Sequence, residues 1–189
     1  MDCFNFVLFN CSIGEIGVVY DSDCFIVKQI LLPDMITKKV DLSRIRFNVC
    51  RDNPDKFIRG VVSKIRDIVS GRRVDFSLDC LDLSYLTSFQ RSVLLKQYEV
   101  PYSRVVSYRD LACMINRPAS VRPLANALSC NPFALVIACH RTVRSDYSLG
   151  GYAGYADNPL KRVLLENEGV SIVDGRVCPE FRYNFSKKS

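Results

Sequence analysis

Short apolar or alternating runs open the chain. Residues 4–9, 17–20 and 25–32 stand between turn residues with the period of two that predicts strands. From 55 to 69 the period changes: Phe57, Ile58, Val61, Val62, Ile65, Ile68 and Val69 recur at helical spacing, and Ser70-Gly71 stops the run. Residues 72–84 alternate again through Val74, Phe76, Leu78 and Cys80, as an edge strand or a linker would, and the domain boundary is placed there. Beyond it the spacing is helical over 84–97, 108–115 and 121–129, with a Pro-containing turn before each of the last two. The expected class is α+β, with a small α+β domain over 1–80, a mainly helical domain over 81–175 and a tail over 176–189.

Ser107 and Asp110 form a capping-box-like start for the helix at 108, which closes at Asn116-Arg117-Pro118. Ser120 is placed to cap the next helix, and the turn between the two has the length of a helix-turn-helix. Tight turns also join helices that never meet DNA, so the spacing alone leaves both readings open. The second helix carries Arg122 among small residues such as Ala125, Asn126 and Ala127. Such a smooth face suits the shallow minor groove better than the major groove, where long polar side chains sort base edges.

At 189 residues the chain holds one domain or two small ones. Its 48% apolar and 24% charged residues exclude a disordered or fibrous class, and no apolar stretch reaches membrane-spanning length. The formal charge of +6 and pI of about 8.9 favour acidic partners. Residues 111–145 contain no Asp or Glu but hold Arg117, Arg122, Arg141 and Arg144, which reads either as a solvated basic face or as a surface for phosphates. Nine cysteines, an odd count, follow a start that lacks a basic region and long apolar run. The expectation is an intracellular protein with reduced thiols, most of them buried, with one free for chemistry.

Residues 133–138 are apolar throughout and run directly into Cys139-His140-Arg141, as a buried strand would, with the thiol at its end beside the single histidine of the chain. Neighbouring side chains on a strand face opposite ways, so Cys139 and His140 can cooperate only through a turn or a bridging water. A buried cysteine followed by a surface histidine is the alternative.

Several segments, in order, carry a resemblance. Ser88-Phe89-Gln90 with Val93, Val100-Pro101-Tyr102, Ser107-Tyr108, Arg122, Asn131-Pro132, Cys139-His140-Arg141, Leu149-Gly150-Gly151-Tyr152 and Leu164-Leu165-Glu166-Asn167-Glu168-Gly169 together resemble the O6-alkylguanine-DNA alkyltransferase family. The resemblance spans residues 88–170. It implies that Cys139 accepts the alkyl group from O6 of guanine irreversibly, once per molecule. It also implies that His140 draws off the thiol proton through a water, Glu168 orients His140, Tyr108 donates to the departing base and Asn131 links the helix-turn-helix to the reactive segment. Arg122 would insert where the damaged nucleotide is rotated out of the duplex, with Ser120, Ala125, Asn126 and Arg141 also at the DNA, and Tyr152, Ala153 and Gly154 would line the base pocket. The implied amino-terminal fold is ribonuclease-H-like, and the carboxy-terminal one a winged helix-turn-helix.

Three positions depart from the family: Ala138 where a proline usually precedes the cysteine, Ala125 for a glycine in the recognition helix and Ala153 for a serine of the pocket loop. Some relatives bind zinc through cysteine and histidine in the first domain, but His140 is the chain's one histidine, so neither metal nor cofactor is expected. Asp157-Asn158-Pro159 should start the last helix and Gly169 stop it. The implied partner is duplex DNA containing O6-alkylguanine, with no membrane association, and the implied state a cytoplasmic or nuclear monomer. A binding-only relative, or a helix-turn-helix regulator with redox-sensing Cys113 and Cys130, are the competing readings.

Overall fold

The alternating runs pair into one sheet. β1 (Phe4–Cys11), β2 (Gly14–Asp21) and β3 (Ile26–Leu31) are successive antiparallel neighbours, and β4 (Val49–Arg51) lies parallel to β1, giving the order β3-β2-β1-β4. The β1–β2 turn needs Gly14, which has φ +124° and where a Cβ would lie 2.7 Å from the Lys38 carbonyl oxygen. In the computed structural model, which describes residues 4–34, 36–51, 54–156 and 158–185, this sheet belongs to the first of two compact units. That unit runs to Tyr85 and takes in Pro132–Val136; the second comprises Leu86–Asn131 and the chain from Ile137.

Within the first unit, α1 (Lys56–Val69) starts where the Asp55 carboxylate accepts the Ile58 N–H, and it buries Ile58, Val61, Ile65 and Val69 on one face, packing on β1. Phe6, Val19, Leu31 and Val40 form a core cluster in which each side chain contributes about 1.5–3 kcal/mol by leaving water. Residues 72–84 form no strand. Val74, Phe76, Leu78 and Cys80 are wholly or partly covered while the residues between them are exposed, but the segment runs through a 3-10 turn at Leu78–Cys80 before Leu81, bridged to Val27, and Leu83 are buried.

The second unit is mainly helical. α2 (Ser88–Tyr98) begins later than its apolar spacing suggested, because Thr87 and Gln90 close a capping box across its first turn. β5 (Val106–Ser107) leads into α3 (Tyr108–Met114), where Ser107 Oγ accepts the Asp110 N–H at 3.0 Å. After a turn comes α4 (Val121–Ser129), and α2, α3 and α4 pack on one another. Ser120 does not cap α4 as expected: at φ −94° and ψ 29° it lies outside the extended region from which a cap side chain reaches back.

β6 (Thr142–Val143) pairs parallel to β5, α5 (Pro159–Asn167) is capped by Asn158, and β7 (Ile172–Val173) pairs with β8 (Arg176–Val177). Asp157, expected to share that cap, lies outside the described residues, as does the basic pair Lys187-Lys188. Residues 176–185 are not a loose tail. Val177 joins the core of Val105, Val143, Leu165 and Val170, and Val105 exchanges backbone bonds with Phe181 and Tyr183 at 2.8 and 2.7 Å.

Two further expectations are corrected. Residues 133–138 are buried but form turns instead of a strand, with Leu135 at φ 75°. An apolar run reports burial, and burial does not distinguish a strand from any backbone whose polar groups find other partners. The cysteines are neither all reduced nor mostly buried: Cys50 is disulfide-bonded, and of the described free thiols Cys139 alone is buried. Among the described residues no helix is long and apolar enough to cross a membrane.

Candidate active site

Ala138 has φ −71° and ψ 66°, and the Cys139 N–H donates to the Ile137 carbonyl at 2.7 Å, which makes an inverse γ-turn. A 3-10 turn, Cys139–Arg141, follows at once. The turn that a cysteine–histidine pair requires is therefore present, and Ala138 supplies it at a φ open to proline. At the end of α4 the Asn131 amide donates to the Ile137 carbonyl at 2.8 Å and to Cys139 Sγ at 3.2 Å. Asn131 thus ties the helix end to the thiol, and Gln97 of α2 donates to the Ala138 carbonyl at 2.8 Å.

His140 is fully buried, not a surface histidine, and its Nε2 lies 2.8 Å from Glu168 Oε1. Arg141 reaches both carboxylate oxygens of Glu168, through Nε at 3.1 and 2.9 Å and Nη2 at 2.9 Å, while the Ser103 N–H adds a bond at 3.1 Å. Burial alone would raise the Glu168 carboxyl, but the hydrogen bonds from His140 and Arg141 and the Arg141 charge outweigh it and hold it at about 2. Burial moves His140 the other way, below its ordinary value, against the pull of Glu168. The pair at neutral pH is therefore a carboxylate and a neutral imidazole. A carboxylate only accepts, so Nε2 carries the ring hydrogen and the buried Nδ1, which has no hydrogen-bond partner among the described residues, is the basic nitrogen. Arg141, expected at the DNA, is turned inward to Glu168 and the Val100 carbonyl, because an ionised buried carboxylate needs a cation beside it.

A cavity of about 460 Å³ opens over Cys139. Tyr108 lines it from the start of α3, Ala125, Leu128 and Ser129 from α4, and residues 151–156 from the loop before α5. That loop folds back through mutual backbone bonds of Tyr152 and Tyr155 at 2.9 and 3.0 Å, with Ala153 at φ 49° and Gly154 at φ 86° as in a type I′ turn. Gly151 admits no side chain, since a Cβ there would lie 2.9 Å from the Tyr155 carbonyl oxygen. Burial pushes the Cys139 thiol up, while the Asn131 amide and the Lys161 ammonium pull it down. Burial and the nearby sulfur raise Tyr108 as well, so its hydroxyl keeps its proton.

Cys139, His140, Glu168, Tyr108, Asn131, Tyr152, Ala153, Gly154 and Ala125 thus converge on one place. Arg122 and Asn126 are exposed on α4 and Ser120 is half-buried before it; none of the three lines the cavity. Two residues were missed. Lys161 is fully buried on α5, bonds the Thr142 and Gly151 carbonyls at 2.6 and 3.2 Å, and is brought down to about 8 by burial. Gln97 is equally buried. The signal was there in both cases, as a polar residue at a core position of a helix: Lys161 with Leu164, Leu165 and Glu168, and Gln97 with Val93 and Leu94.

Fold and site first define a class: an α+β protein in which a buried thiol, Cys139, faces a cavity and is backed by a histidine–carboxylate pair. Residues 88–170 match the family model of the 6-O-methylguanine DNA methyltransferase DNA binding domain. The methylated-DNA–protein-cysteine methyltransferase of Methanothermobacter thermautotrophicus is 38% identical over 158 residues, 84% of this chain and 81% of the relative. Among solved structures, Mycobacterium tuberculosis OGT in complex with DNA superposes with a TM-score of 0.69 at 26% identity, covering 87% of this chain and 92% of that one. The O6-methylguanine methyltransferase of the same organism gives 0.67 at 26%, covering 89% and 93%. The chain belongs to the methylated-DNA–protein-cysteine methyltransferase family.

Proposed function

We infer that this protein repairs O6-alkylguanine in duplex DNA by moving the alkyl group onto Cys139. The observation that carries the assignment is the Cys139 thiol, buried beneath the cavity between α4 and the 151–156 loop and bonded by Asn131. A thiolate is the nucleophile, and the thiol here is held protonated by burial, so a base must act as the bond forms. His140 Nδ1 takes that proton, through a bridging water as the family pattern implies, and Glu168 stabilises the imidazolium through Nε2. Cys139 Sγ bonds the alkyl carbon, the carbon–O6 bond breaks, and the electron pair stays on guanine. Tyr108, with its proton retained, donates to the departing base. Overall the thiol proton passes to guanine and the thioether remains, so each molecule acts once.

O6 of a stacked guanine cannot reach a buried sulfur, so the nucleotide must leave the stack, at a few kcal/mol that a mispaired base reduces. We propose that α3 and α4 are a winged helix-turn-helix that lies in the minor groove, with Arg122 filling the gap and Ser120, Ala125 and Asn126 along the contact. The exposed Arg122 and the small face of α4 support this. The β3-β2-β1-β4 order with its parallel β1–β4 pair supports a ribonuclease-H-like first domain.

Incubation with a duplex containing O6-methylguanine, followed by peptide mass measurement, tests the assignment. One methyl group should appear on the peptide holding Cys139, and Cys139→Ser should abolish transfer while still binding DNA. Absence of the methyl group from that peptide sinks the assignment.

A further inference from the structure

Gln97, in the last turn of α2, is fully buried, and the mechanism above does not use it. Its side chain grips the reactive turn on both flanks. The Nε2 amide donates to the Ala138 carbonyl at 2.8 Å, immediately before Cys139, and Oε1 accepts a short bond from the Thr142 hydroxyl, immediately after Arg141. A buried amide is costly unless donor and acceptor are both met, and these two partners stay in reach only while the turn keeps its shape.

The turn has particular need of such a grip. Ala138 sits at φ −71°, which a proline ring would enforce but an alanine is free to leave. Its carbonyl also accepts the Arg141 N–H at 3.0 Å, so holding that carbonyl holds the start of the 3-10 turn and the directions of Cys139 and His140. We propose that Gln97 is a positioning residue that locks the proline-free inverse γ-turn and thereby aims Cys139 Sγ into the cavity. The proposal rests on Cys139 being the alkyl acceptor.

Gln97→Leu removes both bonds at similar volume. In single-turnover transfer at saturating methylated duplex, its rate should fall roughly ten- to hundredfold, the effect of displacing a reacting atom by about 1 Å, with DNA affinity unchanged. Adding Ala138→Pro should restore most of the lost rate, because the ring then holds the φ that Gln97 held. General loosening of the core would not be repaired in this way. Gln97→Leu reacting at the wild-type rate, or losing rate and DNA affinity together without rescue by Ala138→Pro, overturns the proposal. If Gln97→Leu does not fold, Thr142→Val removes one flank alone; a smaller rate loss is then expected, and an unchanged rate overturns the idea. A wild-type protein that gains no methyl group at Cys139 in the same assay overturns the reading of the site instead.

Discussion

Glu168→Gln keeps the shape of the side chain and removes the charge that faces Arg141, whose side chain is only 15% exposed. Holding the carboxyl at about 2, against an ordinary 4.5, favours its ionised form in the folded protein by about 3 kcal/mol, at 1.36 kcal/mol per pKa unit. The folded value lies below the unfolded one, so this stabilisation is complete above pH of about 4.5 and is lost as pH falls through about 2, where the folded protein also takes up the proton. Urea unfolding of wild type and Glu168→Gln at a series of pH values reads the effect directly. Wild type should be more stable by about 3 kcal/mol at pH 7, with the gap closing as pH drops towards 2. Alkyl transfer should slow as well, because the His140 imidazolium loses its anionic partner. Two stability curves that run parallel from pH 7 downward would refute the claim that Glu168 is the charge the site is built around.

Lys161 carries the opposite charge with a different signature. Its folded value of about 8 lies below the ordinary 10.5, so between those pH values the unfolded chain holds a proton that the folded one has lost. Wild-type stability should accordingly rise relative to Lys161→Met across that window, by up to about 3 kcal/mol, and a constant difference between the two would contradict it. Gly151→Ala should impair transfer more than DNA binding, since a Cβ 2.9 Å from the Tyr155 carbonyl oxygen pushes the pocket turn open. Equal rates in the mass assay would count against the loop as a pocket wall. Arg122→Ala should slow reaction with methylated duplex far more than with free O6-methylguanine base, and an equal loss on both would argue against its part in extruding the nucleotide.

Much of this protein was legible along the chain because its signals are local. The period of two in the first runs became β1 to β3, and the period near 3.6 became α1 and α4, since side chains alternate between faces along a strand and return to one face every three or four residues along a helix. Asp55, Ser107 and Asn158 stand at helix starts, where free N–H groups require an acceptor. The resemblance picked out Cys139, His140, Glu168, Tyr108 and Asn131 before their convergence could be seen, because ordered motifs record a site without its geometry.

Tertiary structure decided which groups share charge and where backbone polar groups find partners. Residues 133–138 read as a strand because a strand and a buried turn are equally apolar; where the chain bends, the Ile137 and Ala138 carbonyls are met by the turn's own N–H groups and again by the amides of Asn131 and Gln97, partners that no local pattern announces. Arg141 looked like a DNA contact because an arginine in a basic stretch looks exposed, whereas Glu168, distant in sequence, draws it inward. Lys161 and Gln97 stood in plain view at core positions, but a polar residue on an apolar face means nothing until its partners are known. Burial determines apolar positions one residue at a time; buried polar groups are determined in pairs, and the pairing exists only in the fold.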